Sequence, residues 1–341
     1  MRVRAHVRLV EWVGLTSMTD HAPSLWGSFY AQSAEDDSLA EITNSIRKLL
    51  ETMGTSDLKE LLKAFRPDII ICTHFLSIDV LLDLKREGQL PQPVYCVITD
   101  YVAHTFWTYP DIDGYFVGSH MVRDQLVERG VSPDIIQITG LPVDPKIAEP
   151  KDAAHERQQL DLPADKPVIT LFGGGIPAEK IRKIVLSLLE RAIEGQLVVA
   201  AGRNEKLLDA LDDLQPGPHL GLRLLGYIDY VDSLITASDI VATKAGGLIT
   251  SETLARSVPL VVFEPIPGHE EWNADFIVNC GAGMQLRKAE SVPDAIAYLL
   301  SKPQVLQEMR KSADVVRRPR AAYTIAEYVL DRYRHAEHGV G

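Results

Sequence analysis

Between Asp239 and Gly283 lie glycines, a lysine, carboxylates and an amide whose order suits an anionic ligand rich in hydroxyls. An apolar run, Ile240 to Ala242, leads to Lys244 and the pair Gly246-Gly247. An amphipathic helical pattern follows, with Ser251 and Glu252 in its first turns. A second apolar run, Leu260 to Phe263, ends at Pro265-Ile266-Pro267-Gly268, then His269, Glu270 and Glu271, with Asn273 just beyond. Two strand ends and two helix starts converge, which is where open α/β sheets place ligands. Free N–H groups at helix N-termini favour a diphosphate. The neighbouring carboxylates suit sugar and ribose hydroxyls better than phosphate, so the segment predicts a nucleotide-sugar site.

Other residues admit two readings. Gly173-Gly174-Gly175 follows the run ending at Phe172 and precedes Pro177, a favourable first helical residue; it is either a loop that lets backbone approach a ligand or a plain β–α turn. Gly226-Tyr227-Ile228-Asp229 ends another strand, where backbone can read a base edge, or is a surface turn. Lys244 can face a diphosphate as a point charge or stay solvated. Glu252 is a partner for a ribose diol or an ordinary helix-surface charge. Thr99-Asp100 closes a strand ahead of His104, Phe106 and Trp107. A carboxylate and an imidazole there can move protons, or they cap the next helix while the aromatics pack as core. His74, one residue past Thr73, is in a similar position. Trp26, Phe29 and Tyr30 form either an apolar acceptor or membrane-interface patch, or packing.

With 341 residues, two domains are expected. Apolar residues make up 46% of the chain, which is ordinary for a globular protein. No apolar run approaches the roughly 18 residues of a membrane span, and Met1 opens no signal-peptide pattern. Cys72, Cys96 and Cys280 lack metal-ligand spacing, and their odd number argues against a disulfide framework; a cytoplasmic setting is expected. The net charge of −12, with acidic residues in excess in both halves, argues against nucleic acid and weakens simple attraction to anionic lipid.

Strand and helix patterns alternate almost throughout, predicting parallel α/β architecture. Strands are expected at Asp68–Thr73, Val94–Thr99, Tyr115–Gly118 and Ile135–Thr139, then at Val168–Phe172, Leu197–Ala200, Arg223–Leu225, Ile240–Ala242 and Leu260–Phe263. Helices are expected at Leu39–Met53, Asp57–Phe65, Ile78–Glu87, Met121–Arg129, Ala178–Ile193, Glu205–Leu211, Thr250–Arg256, Asp275–Asn279 and Pro293–Leu300. A proline-rich linker, Gly140 to Lys166, separates the two series. The expectation is two Rossmann-like domains facing a cleft, over residues 1–145 and 146–319, with 320–341 forming a C-terminal helix that crosses back to the first domain.

Together these residues resemble the monogalactosyldiacylglycerol synthase-type glycosyltransferases of family 28, relatives of the peptidoglycan N-acetylglucosaminyltransferase. The most specific parts are Thr99-Asp100 with His104 and Trp107, Lys244-Ala245-Gly246-Gly247, Thr250 with Glu252, and Pro267-Gly268 with Glu270-Glu271 and Asn273. The resemblance implies a GT-B fold and inverting transfer of a hexose from UDP-galactose or UDP-glucose to diacylglycerol or a related lipid, with no bound metal or cofactor. It implies donor binding by Gly173, Gly174, Gly175, Tyr227, Ile228, Lys244, Gly246, Gly247, Leu248, Thr250, Glu252, Gly268, His269, Glu270, Glu271 and Asn273. Trp26, His74 and Trp107 fall on the acceptor side, and Asp100 and His104 become the candidate catalytic residues. A lipid acceptor also implies peripheral contact at the inner face of the cell membrane.

The sequence departs from that pattern in three places. Ile176 follows the glycines where relatives have a further small residue, and His269 stands where they often have Gln. Val7 to Val13 reads as the family's second strand, so the first strand and its Gly-Gly-His loop, which supplies a candidate base, are expected to be absent. Two other activities compete: a non-catalytic UDP-sugar-binding protein, and an isomerase such as a UDP-N-acetylglucosamine 2-epimerase. Tight UDP binding without turnover would select the first, and epimerised sugar formed from donor alone the second.

Overall fold

The computed structural model describes residues 58–109 and 111–338. The strand expected at Val7–Val13, the helix at Leu39–Met53 and the aromatic group of Trp26, Phe29 and Tyr30 lie outside them.

The N-terminal unit opens with helix α1 (58–65). Its four-stranded parallel sheet comprises β1 (Ile70–Cys72), β2 (Val94–Val97), β3 (Gly114–Val117) and β4 (Ile136–Ile138), in the order β1-β2-β3-β4. β2 and β3 are buried at every residue. Such continuous apolar runs (VYCV, GYFV) are what a parallel sheet covered on both faces requires. Helices α2 (Phe75–Arg86) and α3 (His120–Glu128) contribute to one face, where Ile78, Leu81 and Leu82 pack with Val122, Leu126 and Tyr115. Ser119 caps α3 by accepting the Val122 N–H.

The C-terminal unit holds a six-stranded parallel sheet: β5 (Val168–Phe172), β6 (Gly195–Ala200), β7 (Leu220–Leu225), β8 (Ile240–Thr243), β9 (Leu260–Phe263) and β10 (Gly283–Leu286). Their spatial order is β10-β9-β8-β5-β6-β7. Strand order reverses between β5 and β8, the switch point of a doubly wound sheet, and the crevice at their C-terminal ends is its natural ligand position. The helices are α4 (Ala153–Gln159), α5 (Ala178–Leu189), α6 (Glu205–Leu211), α7 (Val231–Ala237), α8 (Gly247–Ala255), α9 (His269–Asn279), α10 (Val292–Ser301) and α11 (Pro303–Val316). β10, α7, α11 and the α4 helix inside the proline-rich stretch have no counterpart in the sequence pattern.

A final helix, α12 (Ala321–His338), returns to the first sheet, where Ile325 and Val329 pack with Tyr95, Val97 and Phe116. The two crossings between the units touch: a Cβ on Gly140 would stand 2.3 Å from the Arg318 Cβ. Gly140 also has φ +85°, where any other residue is strained. None of the helices among the described residues is long and apolar enough to cross a membrane.

Candidate donor site and its cross-domain contact

At the switch point, β5 delivers Gly173-Gly174-Gly175 and β8 delivers Lys244, Ala245 and Gly246. Gly174 and Gly175 are exposed, whereas a Cβ on Gly173 would meet Leu207 at 2.5 Å. Gly175 has φ +72°, and a Cβ there would stand 2.8 Å from the Lys244 Nζ, so the ammonium lies against the glycine loop. On its other side Lys244 faces Glu270 Oε1 at 3.5 Å. This Glu270 is 4% exposed, and its Oε2 accepts the Ile266 N–H at 2.7 Å. Glu271 is exposed and accepts the Gly268 N–H at 3.0 Å, holding the entry to α9. Gly268 itself has φ +95°, the left-handed region.

Helix α8 starts at this crevice with Gly246 as its N-cap and no side-chain cap, leaving first-turn N–H groups to an external acceptor. Leu248 is exposed in that first turn. Thr250 is wholly buried and its hydroxyl finds no protein partner. Glu252 is half-buried. Desolvation, then the charges of Asp232 and Asp144, push its carboxyl up to about 7. Its neighbour Arg256 does not neutralise it, because that guanidinium binds Asp232 at 2.5 and 2.7 Å.

Tyr227 and Ile228 follow β7. The Tyr227 ring is 65% exposed, and the Arg203 guanidinium lies 4.8 Å from its centroid. Sequence reasoning passed over Arg203; its signal was its place three residues past β6, beside the strand end that carries Tyr227.

The N-terminal unit meets this site through the segment that ends β2. A Cβ on Gly247 would stand 2.2 Å from the Thr99 carbonyl oxygen, so only glycine lets that strand end abut α8. Asn273, completely buried in α9, accepts the Tyr101 N–H at 2.7 Å. Its Nδ2 donates to Asp100 Oδ1 at 2.9 Å and to the Ala245 carbonyl at 3.0 Å. The Tyr101 ring stacks on Phe276 with centroids 4.0 Å apart. Ser251 donates its single proton to the Gly247 carbonyl at 2.8 Å, so in the 3.0 Å contact the Tyr101 hydroxyl donates to Ser251. Burial pushes that phenol up to about 12, so it remains protonated for this role. Sequence reasoning did not single out Tyr101, Phe276 or this role of Ser251, because the contacts join residues 150 and 172 positions apart.

Asp100 is half-buried. Its charge acts on His74, whose pKa is lowered by burial with Asp100 opposing; the His74 ring stacks on Phe75 at 4.6 Å. His104 is 2% exposed, and its Nδ1 accepts the Phe106 N–H at 3.2 Å as the cap of a short 3-10 turn. Trp107 is buried in the first core with its ring edge-on to Phe75. Trp26 lies outside the described residues. Gly246, Gly247, Lys244, Glu270 and Asn273 thus converge on one crevice with Asp100, while His104 and Trp107 sit in the interior of the N-terminal unit. Among the described residues there is no group of three or more potential metal ligands.

Residues 11–143 match the family described as monogalactosyldiacylglycerol (MGDG) synthase, and residues 168–325 match the glycosyltransferase family 28 C-terminal domain. Among curated relatives, the processive diacylglycerol β-glucosyltransferase of Bacillus licheniformis is 33% identical over 76% of this chain and 67% of that protein. The Bacillus pumilus enzyme of the same description is 30% identical over 82% and 73%. Two solved structures share the fold: MurG of Acinetobacter baumannii, with a TM-score of 0.58 and 19% identity over 83% of this chain and 79% of that one, and an S. aureus MnaA–UDP complex, with 0.60 and 16% over 84% and 82%. The architecture is therefore GT-B, and the chain belongs to the family 28 glycosyltransferases, among the diacylglycerol glycosyltransferases and MGDG synthases.

Proposed function

We propose that this chain transfers a hexose from UDP-glucose or UDP-galactose to diacylglycerol with inversion at the anomeric carbon. The observation that carries this reading is the crevice at the β5/β8 switch point, where a glycine loop, Lys244 and the uncapped start of α8 meet, opposite Asp100 of the other unit. The diphosphate sits at the α8 N-terminus, whose partial positive charge, with Lys244, receives the charge that develops as the bond to UDP breaks. Glu252 accepts the ribose hydroxyls. Glu270 and Glu271 line the sugar side. Asp100 takes the proton of the lipid hydroxyl, whose oxygen attacks from the face opposite the leaving UDP. Asp100 is preferred over His104 because the imidazole is buried and its Nδ1 caps a turn. With a lipid acceptor, the protein works as a peripheral enzyme at the inner face of the membrane.

The test is transfer of label from UDP-glucose and from UDP-galactose into the lipid phase of diacylglycerol mixed micelles. Label in the lipid phase with either donor is expected. UDP binding with no labelled lipid would reject the proposal and leave a binding protein; epimerised sugar nucleotide from donor alone would replace it with an isomerase.

A further inference from the structure

Asn273 is completely buried, and each of its polar atoms meets protein. One of those bonds is not needed to satisfy a buried group. The Tyr101 N–H and the Ala245 carbonyl are backbone groups that must be paired when dry. Asp100, by contrast, is half-buried and its carboxylate has water to turn to. The Nδ2 bond at 2.9 Å therefore orients Asp100 rather than rescuing it. The same nitrogen holds Ala245, which lies between Lys244 and Gly246, in the loop that faces the diphosphate in the proposed site.

We propose that Asn273 is a positioning residue for sugar transfer: one carboxamide sets the orientation of Asp100, across the domain boundary, relative to the loop that holds the leaving group. The inference rests on the transfer reading above. Only an amide fits the role. Its oxygen accepts from the Tyr101 N–H while its two N–H bonds go to two different acceptors, one on each unit. Aspartate keeps the shape and the acceptor but loses both donors, and sets a second carboxylate against Asp100. The Asp100 charge also reaches His74 on the N-terminal side, so a change in its orientation is felt in both units.

The test compares kcat, donor KM and UDP affinity for the wild type, Asn273→Asp, Asp100→Asn and the double variant, with diacylglycerol as acceptor. Asn273→Asp is expected to lower kcat by about 30-fold or more while UDP affinity changes less than about threefold. In the Asp100→Asn background the same substitution is expected to lower residual turnover by less than about threefold, because no base is left to misplace. Equal losses in both backgrounds, or UDP affinity falling in step with kcat, would overturn the positioning role and leave a structural one. Should Asn273→Asp fail to fold, Asn273→Ser, whose hydroxyl can still accept the Tyr101 N–H, is measured in the same way. Absence of transfer by the wild type would instead overturn the transfer reading, and this inference with it.

Discussion

Asp100 and Glu252 make opposite demands on their surroundings. In the proposed transfer Asp100 must be oriented and Glu252 ionised to accept two ribose hydroxyls, yet burial, then the charges of Asp232 and Asp144, push the Glu252 carboxyl up to about 7. UDP affinity should therefore rise as Glu252 ionises, strengthening about tenfold between pH 6 and pH 8. Calorimetric titration of UDP at both values checks this, and Glu252→Gln should flatten the dependence. For folding the sign is opposite. The native state binds the proton more tightly than the unfolded chain, so the contribution of this group is fully present below 4.5 and is lost as pH rises through about 7. Asp100→Asn should lower kcat by about 10²–10⁴ with UDP affinity unchanged, read from steady-state kinetics beside calorimetry. Lys244→Ala should lower kcat and weaken donor binding together, because the ammonium faces the glycine loop and Glu270 in the free protein.

At the level of elements, α8 carries both the N-terminus at the proposed donor site and the domain contact. Replacing glycine with alanine in a helix ordinarily stabilises by about 0.4–1 kcal/mol. At Gly247 the collision with the Thr99 carbonyl oxygen reverses that sign. Gly247→Ala is expected to destabilise by about 1–3 kcal/mol and to weaken UDP binding, measured by denaturant unfolding and titration; a more stable variant would show that the strand end yields. The glycine pair was legible from the sequence because turn chemistry is local. So were the nine expected strands among the described residues, whose short runs are mostly apolar. β10 was not: its residues, GMQL, are all only half-buried at the sheet edge and give no continuous apolar run. Helix α11 was missed although its apolar stripe, Val305, Leu306, Met309, Ala313 and Val316, falls at helical spacing and packs on the second unit's core. His104 and Trp107 show the limit within the site. The sequence left each open between a role beside Asp100 and a cap or core position, and packing sets both in the interior, one as a cap and one as core.

At the scale of the molecule, the two units are tied at two places among the described residues. One is the chemical contact of Thr99, Asp100 and Tyr101 with α8 and α9. The other is the pair of chain crossings at Gly140 and Arg318, from which α12 returns to cover the first sheet. The sequence pattern carried the expectation of a C-terminal helix crossing back to the first domain; the contacts of Thr99, Asp100 and Tyr101 with α8 and α9 are not legible in it, since periodicity reports faces of elements and not which distant faces meet. Ile325→Ala, 5% exposed against Tyr95 and Phe116, should cost about 2–4 kcal/mol by denaturant unfolding, and leave the donor site of any folded protein able to bind UDP. The central claim concerns the assembled molecule: a donor held by one unit, attacked by a lipid alcohol deprotonated on the other. The most direct test is proton NMR of the glycolipid formed from an α-linked UDP-hexose and diacylglycerol. A β-linked product is expected; an α-linked product, or sugar released only to water, would contradict inverting transfer to the lipid.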